Sequence, residues 1–313
     1  MNYLTTALFI VGGLATLTPW VTAPIALVLG FIFANLNWVP TAINPTLWTK
    51  KLLALAIVAL GFGVQLDVAW QVTGNYFGLM VVSIAITLIA ALLIGRVFKV
   101  DTTTSHLIGS GTAICGGSAI AAVGPAIHAR SEQMALALGS VFTLNAIGLL
   151  VFPIIGRSLG LSDEVFGAWA AIAIHDTSSV VGAAQAYSDT ALQTATTLKL
   201  ARALWIIPVA LISALVYQRM VGGTTKTKLS VPRFIGGYVV AMLVASYVPQ
   251  FEALYSAAFA AGKKLLVFSL YLVGASITIR RLRAAGPKPL LLAVVLWVII
   301  ALFSLGWLTL LTD

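Results

Sequence analysis

Charge is scarce in this chain. Only 9% of its 313 residues are Asp, Glu, Lys or Arg, against 60% hydrophobic. Soluble domains carry roughly a quarter charged residues, so one water-soluble core of this length is excluded. Mean hydropathy is +1.04, and apolar runs long enough to cross a bilayer recur along the whole sequence. The runs do not alternate apolar with polar residues, which excludes a membrane β-barrel. Cysteine is nearly absent: Cys115 stands alone, so neither an intramolecular disulfide nor a multi-cysteine metal site can form. Three histidines, His106, His128 and His175, lack metal-ligand spacing, and no metal or other cofactor is expected.

Acidic residues number 9 against 18 basic ones, a net charge of +9. The excess sits in short loops between apolar stretches, which is the positive-inside pattern of a membrane protein and not a nucleic-acid footprint. Candidate segments fall at 4–18, 22–36, 47–66, 74–95, 104–127, 131–157, 163–187, 190–221, 232–248, 251–279 and 289–311. The first is read as a retained span and not a signal peptide, because Met1–Thr6 holds no basic residue. Alternate loops collect Lys50, Lys51, Arg96, Lys99, Arg219, Lys226, Lys228, Arg233, Arg280, Arg281, Arg283 and Lys288 on one side. The other side receives little beyond Asp67, Arg130 and Glu252. The expected placement is a bacterial inner membrane, with the N-terminus cytoplasmic and the C-terminus external.

The expected fold is an all-α polytopic membrane protein of about eleven segments, two of them broken or re-entrant, in the inverted-repeat architecture of secondary transporters. Its division is an extra span at 1–20, a first repeat at 22–157 and a second half at 163–313. Two internal echoes suggest the repeat. Lys50-Lys51-Leu52-Leu53 returns as Lys263-Lys264-Leu265-Leu266, and Ile114, Ser118 and Gln133 return 60 residues later as Ile174, Ser178 and Gln193. Sequence leaves open whether 104–127 and 163–187 span fully or double back.

Both of those segments carry unusual chemistry. In the first, Ser110-Gly111-Thr112-Ala113-Ile114-Cys115-Gly116-Gly117-Ser118, the paired glycines weaken a helix in mid-membrane and free backbone groups. A helix restarting there would aim its N–H groups and positive dipole end at an anion. Close packing of small residues is the plainer explanation. The second, Ile174-His175-Asp176-Thr177-Ser178-Ser179, places a carboxylate and three hydroxyls deep in an apolar stretch. An intramembrane Asp is costly and usually marks function, although a hydrated helix end would also accommodate it. Lys199 and Arg202 lie three apart on one helix face, either snorkelling or pairing with Asp176 when the site is empty. Asn145 is an interhelical hydrogen bond or a ligand contact. His175, Asp176 and Asn145 are candidates for a coupling ion, H⁺ or Na⁺. Two other readings use the same residues: an intramembrane enzyme built on Cys115, His175 and Asp176, or an anion channel.

At Gly109–Ala126 and Ile174–Ala184, followed by Lys199-Leu200-Ala201-Arg202 and Trp205, the chain resembles the YeiH-like family of membrane proteins, labelled sulfate exporters. A looser similarity runs to bile acid:sodium symporter-like proteins through the helix end at Gly61–Asp67 and the Gly-Gly segment. The second broken segment comes earlier here than in that pattern. The resemblance implies an exporter of a small anion, sulfate, an organosulfonate or a carboxylate, acting by alternating access and not by catalysis. The substrate site would comprise Cys115, Gly116, Gly117, Ser118, Asp176, Thr177, Ser178, Ser179, Lys199 and Arg202. Expected partners are the solute and the lipid bilayer; a homodimer is allowed and nucleic acid is not.

Overall fold

The computed structural model describes residues 3–40, 42–221, 233–278 and 287–310. Lys226, Lys228, Arg280, Arg281 and Arg283, which the charge pattern assigns to cytoplasmic loops, lie outside the described residues, as do residues 311–313. The described residues are helical and contain no strand. Among the described residues, five helices are long and apolar enough to cross a bilayer, or six if a bent pair counts as one, against the eleven segments expected.

The shortfall has physical causes. Segment 47–66 is not one rod: α3 (Pro45–Gly61) ends and α4 (Leu66–Asn75) departs at 105°. Gly61 lies against the Tyr238 carbonyl and Gly63 under the Phe259 ring, contacts that a side chain would block. Trp70 is 79% exposed on α4, as suits a short helix lying at the bilayer interface. Segment 190–221 does not add to the shortfall: α11 (Asp189–Ala203) and α12 (Ile206–Val221) together make one of the five spans, with a break in the ladder between them. Pro208 cannot donate to the Leu204 carbonyl, so the ladder fails there.

The remaining helices form two packed groups. α2 (Ala23–Asn35), α3, α13 (Arg233–Tyr247) and α14 (Glu252–Ser276) pack together, with α1 (Tyr3–Ala15) at their edge. Grouped around α8 (Ser131–Ser158) are α5 (Phe77–Val97), α6 (Thr102–Ala113), α7 (Gly117–Ala126), α9 (Asp163–Ala173), α10 (Thr177–Tyr187), α11, α12 and α15 (Pro287–Leu310). The first group thus joins helices from both sequence halves. Its centre is the α2–α14 crossing, where Gly30 faces the Tyr271 carbonyl and Gly274 faces the Leu27 carbonyl. Only small residues let two backbones approach so closely. Gly274→Ala is expected to destabilise the fold by about 1–3 kcal/mol through overpacking, read by thermal unfolding in detergent.

Both broken segments double back. Asp101 caps α6 by accepting from the Thr104 amide at 2.9 Å, and the same oxygen accepts from Gln133 at 2.7 Å, just beyond the end of α7. His106 near the start of α6 bonds Ser213 at 2.8 Å, and His128 after α7 packs on Tyr217, one turn along the same helix α12. Entry and exit of this first hairpin are therefore together. In the second, Tyr187 at the end of α10 stacks on Phe166 of α9 at 3.8 Å and donates to the Leu161 carbonyl at 2.6 Å. Arg157 adds bonds to the Ala186 and Tyr187 carbonyls at 3.2 and 3.0 Å. Gln133 and Arg157 lie at opposite ends of α8, so the hairpins enter from opposite ends of that helix. Each limb has 10 to 12 residues, about 15–18 Å, which is half of a bilayer's hydrocarbon core.

Candidate functional site

The two hairpin tips meet. A Cβ on Gly116 would sit 3.3 Å from the Cβ of Asp176, so the tip residues are in van der Waals contact. Gly116 has φ +61° and ψ −121°, a conformation that side-chain-bearing residues avoid, and its N–H closes the α6 end by donating to Gly111 at 2.8 Å. α7 then starts at Gly117. The Cys115 thiol lies beside the Ala119 amide and the Ser118 side chain at this helix start, and within electrostatic range of Lys199 and Arg202. Sequence showed no basic neighbour for Cys115, because both cations arrive from a distant helix. Cys115 is buried, whereas Gly117 is half-buried and Ser118 exposed.

At the second tip, α9 stops at Ala173 and Asp176 caps α10. One carboxylate oxygen accepts from the Ser178 hydroxyl at 2.6 Å and the Ser179 amide at 2.7 Å; the other accepts from the Ser179 hydroxyl at 3.0 Å. Asn145 of α8 braces the crossover from the side. Its Oδ1 accepts from the His175 and Asp176 amides at 3.1 and 3.4 Å, which is the interhelical role, while its Nδ2 is buried without a partner among the described residues. Asp176→Ala is expected to cost about 1–2 kcal/mol by thermal unfolding, since a cap and two hydroxyl acceptors are lost. Asp176→Asn keeps an oxygen for the Ser179 amide and should lose much less.

Lys199 and Arg202 do not snorkel; both are 0% exposed. Nor do they pair with Asp176, and neither forms an ion pair with a described residue. Lys199 Nζ donates to the carbonyls of Ala171 at 3.2 Å and Ile174 at 2.7 Å. Arg202 Nη1 donates to Ala171 and Ile172. The expectation that these cations hold Asp176 in the empty site is thus corrected. A helix ending inside protein leaves carbonyls without intrahelical partners and a partial negative charge, and the cations satisfy that end. Asp176 meanwhile satisfies the complementary N-terminal end of α10. Each half-helix terminus recruits the charge opposite to its own.

Several donors at this junction remain unused. Arg202 Nε and Nη2, which form the side-on edge of its guanidinium, are buried without partners among the described residues. So are both His175 ring nitrogens; the Val141 carbonyl is near that ring but outside ordinary hydrogen-bond geometry. Buried polar groups are nearly always satisfied, so a cluster of unused donors around a buried cation suits an acceptor-rich guest. Thr112 Oγ1 and Thr196 Oγ1 are also buried without partners among the described residues; a lone Thr in an apolar helix carries no signal in the sequence. The catalytic alternative needs Asp176 to orient His175. Its carboxylate is instead committed to Ser178 and Ser179. An open depression of about 380 Å³ at the α3–α4 bend, lined by Gln65, Leu66, Asp67 and Ala245–Tyr247, includes none of the tip residues.

Comparison with known proteins places the chain. The family described as "Conserved hypothetical protein 698" matches residues 4–293. A UPF0324 membrane protein of Vibrio vulnificus is 53% identical over 96% of this chain and 97% of its own length. One from Shewanella oneidensis is 53% identical over 96% and 93%, and one from Bacteroides thetaiotaomicron 44% over 98% and 93%. No solved structure matches. With its apolar helices and this breadth of similarity, the chain belongs to the UPF0324 family of membrane proteins.

Proposed function

We propose that this protein is a secondary transporter, in the exporting direction, for a small anion held where the hairpin tips meet. One observation carries the reading: two half-membrane hairpins from opposite ends of α8 touch at Gly116 and Asp176, beside two fully buried cations with no carboxylate on them. Two discontinuous helices, with the α7 N-terminus at one tip and the unused Arg202 Nε–Nη2 edge near the other, supply what an anion needs there. Ser118 and Thr177 form the accessible rim of the site, and Lys199 and Arg202 its charge. The opposed hairpins support an inverted repeat in which 104–157 and 163–221 are the paired units. The group of α2, α3, α13 and α14 is the second body against which the hairpin group moves to alternate access.

The protein acts in a bacterial inner membrane. Its first-hairpin mouth, next to Arg96 and Lys99, faces the cytoplasm, and its second, next to Arg157, faces outward. Proteoliposomes loaded with radiolabelled sulfate, methanesulfonate or acetate test the function. Saturable efflux of at least one, absent from liposomes carrying Arg202→Ala protein, is expected. Efflux that rises linearly without saturation would indicate a channel, and none at all would remove the reading.

A further inference from the structure

The two buried cations differ in what their surroundings allow. Arg202 keeps its charge under all accessible conditions, because a guanidinium does not lose its proton in proteins. The Lys199 amine is a weaker base than a guanidine and can exist in either form. The structure satisfies two donors at its Nζ, through Ala171 and Ile174. An ammonium carries three N–H groups and a neutral amine two, so these bonds suit the neutral amine fully and leave the ammonium one donor short. The charged and titratable groups facing it are Arg202 on its own helix, Cys115 at the first tip, and His175 and Asp176 at the second. Of these only Asp176 carries a carboxyl group, and its oxygens are already occupied by Ser178 and Ser179. Two adjacent positive charges, both fully buried and neither paired with a carboxylate among the described residues, are costly, and one of them can be shed.

We infer that Lys199 is the proton carrier of the transport cycle, neutral while the site is empty and protonated when the anion binds. The inference rests on the anion-transport reading above. The step balances simply: a proton from water adds to the lone pair of Nζ as the anion enters, so the site gains one positive and one negative charge together. Release reverses both, and each anion travels with a proton. The same geometry leaves little room for Na⁺ as the coupling ion at this helix end. The carbonyls at the C-terminus of α9 that would ligate a metal cation are already taken by Lys199 and Arg202.

The test is proton uptake by purified protein in weakly buffered detergent solution with a pH indicator, on addition of sulfate, methanesulfonate or acetate. The parent is expected to take up about one proton per bound anion, equally with sodium or choline as the counter-cation. Lys199→Arg, which keeps the charge, should bind without uptake; Lys199→Met should bind at least tenfold more weakly and also without uptake. Binding by the parent with no proton uptake, or undiminished uptake by Lys199→Arg, would overturn the proton-carrier role and leave the anion reading intact. Failure of all three anions to bind would overturn both.

Discussion

Arg202→Ala should be the most damaging single substitution at the site. The side chain is fully buried, with Nη1 holding the Ala171 and Ile172 carbonyls and its Nε–Nη2 edge unused. Truncation orphans the Ile172 carbonyl, since Ala171 keeps its bond from Lys199, and it removes a fork able to grip two oxygens of a guest at once. Anion affinity is expected to fall by about 1.5–3 kcal/mol, or about 10- to 150-fold. Stability should fall by about 1–3 kcal/mol for that unsatisfied carbonyl. Arg202→Lys separates the two effects: an ammonium can reach the carbonyls and restore stability, but it cannot reproduce the fork. Isothermal titration with sulfate and thermal unfolding on the same preparations read both. Parent-like binding by both Arg202→Ala and Lys199→Ala would show that these cations only cap α9.

Gly116→Val should abolish transport, and Gly117→Ala should not. The two glycines are adjacent, but they serve different ends. Gly116 holds a positive φ, and any Cβ there also meets Asp176 at 3.3 Å and Val141 at 3.4 Å. Strain of this kind costs about 1–3 kcal/mol and would be relieved by parting the hairpin tips. Gly117 is an ordinary helical residue whose added Cβ would touch the side chains of Phe142 and Leu138, which can move. Efflux from proteoliposomes, compared at equal folded protein by size-exclusion profile, distinguishes the two. Equal loss in both variants would mean that the glycines act only by packing.

The breaks themselves were legible in the sequence. Paired glycines at 116–117 and a His-Asp at 175–176 interrupt apolar helices, and the helices stop within a few residues of both. What was not legible is where each limb goes afterwards. Doubling back is fixed by contacts between distant residues, Gln133 with Asp101 and Tyr187 with Leu161, and no local pattern announces them. The aim of Lys199 and Arg202 was misread for a related reason. Opposite charges suggested a pair with Asp176, but half-helix ends inside protein carry partial charges of their own, invisible in a residue alphabet. The bend between α3 and α4 is a further case. Gly61 and Gly63 permit it, yet the Tyr238 carbonyl and Phe259 ring that require it lie about 180 residues or more along the chain.

The central claim, that the tips form an anion site opened alternately to each side, can be tested without any substitution, because Cys115 is the chain's single cysteine and lies at the first tip. In sealed membrane vesicles of either orientation, a membrane-impermeant methanethiosulfonate reagent should label it slowly, since Cys115 is only 4% exposed in the closed arrangement. Labelling from both sides is expected, faster with the sulfonate-bearing reagent than with its trimethylammonium counterpart, because the buried Arg202 guanidinium attracts the anion. Labelling from one side only, or preference for the cationic reagent, would contradict it.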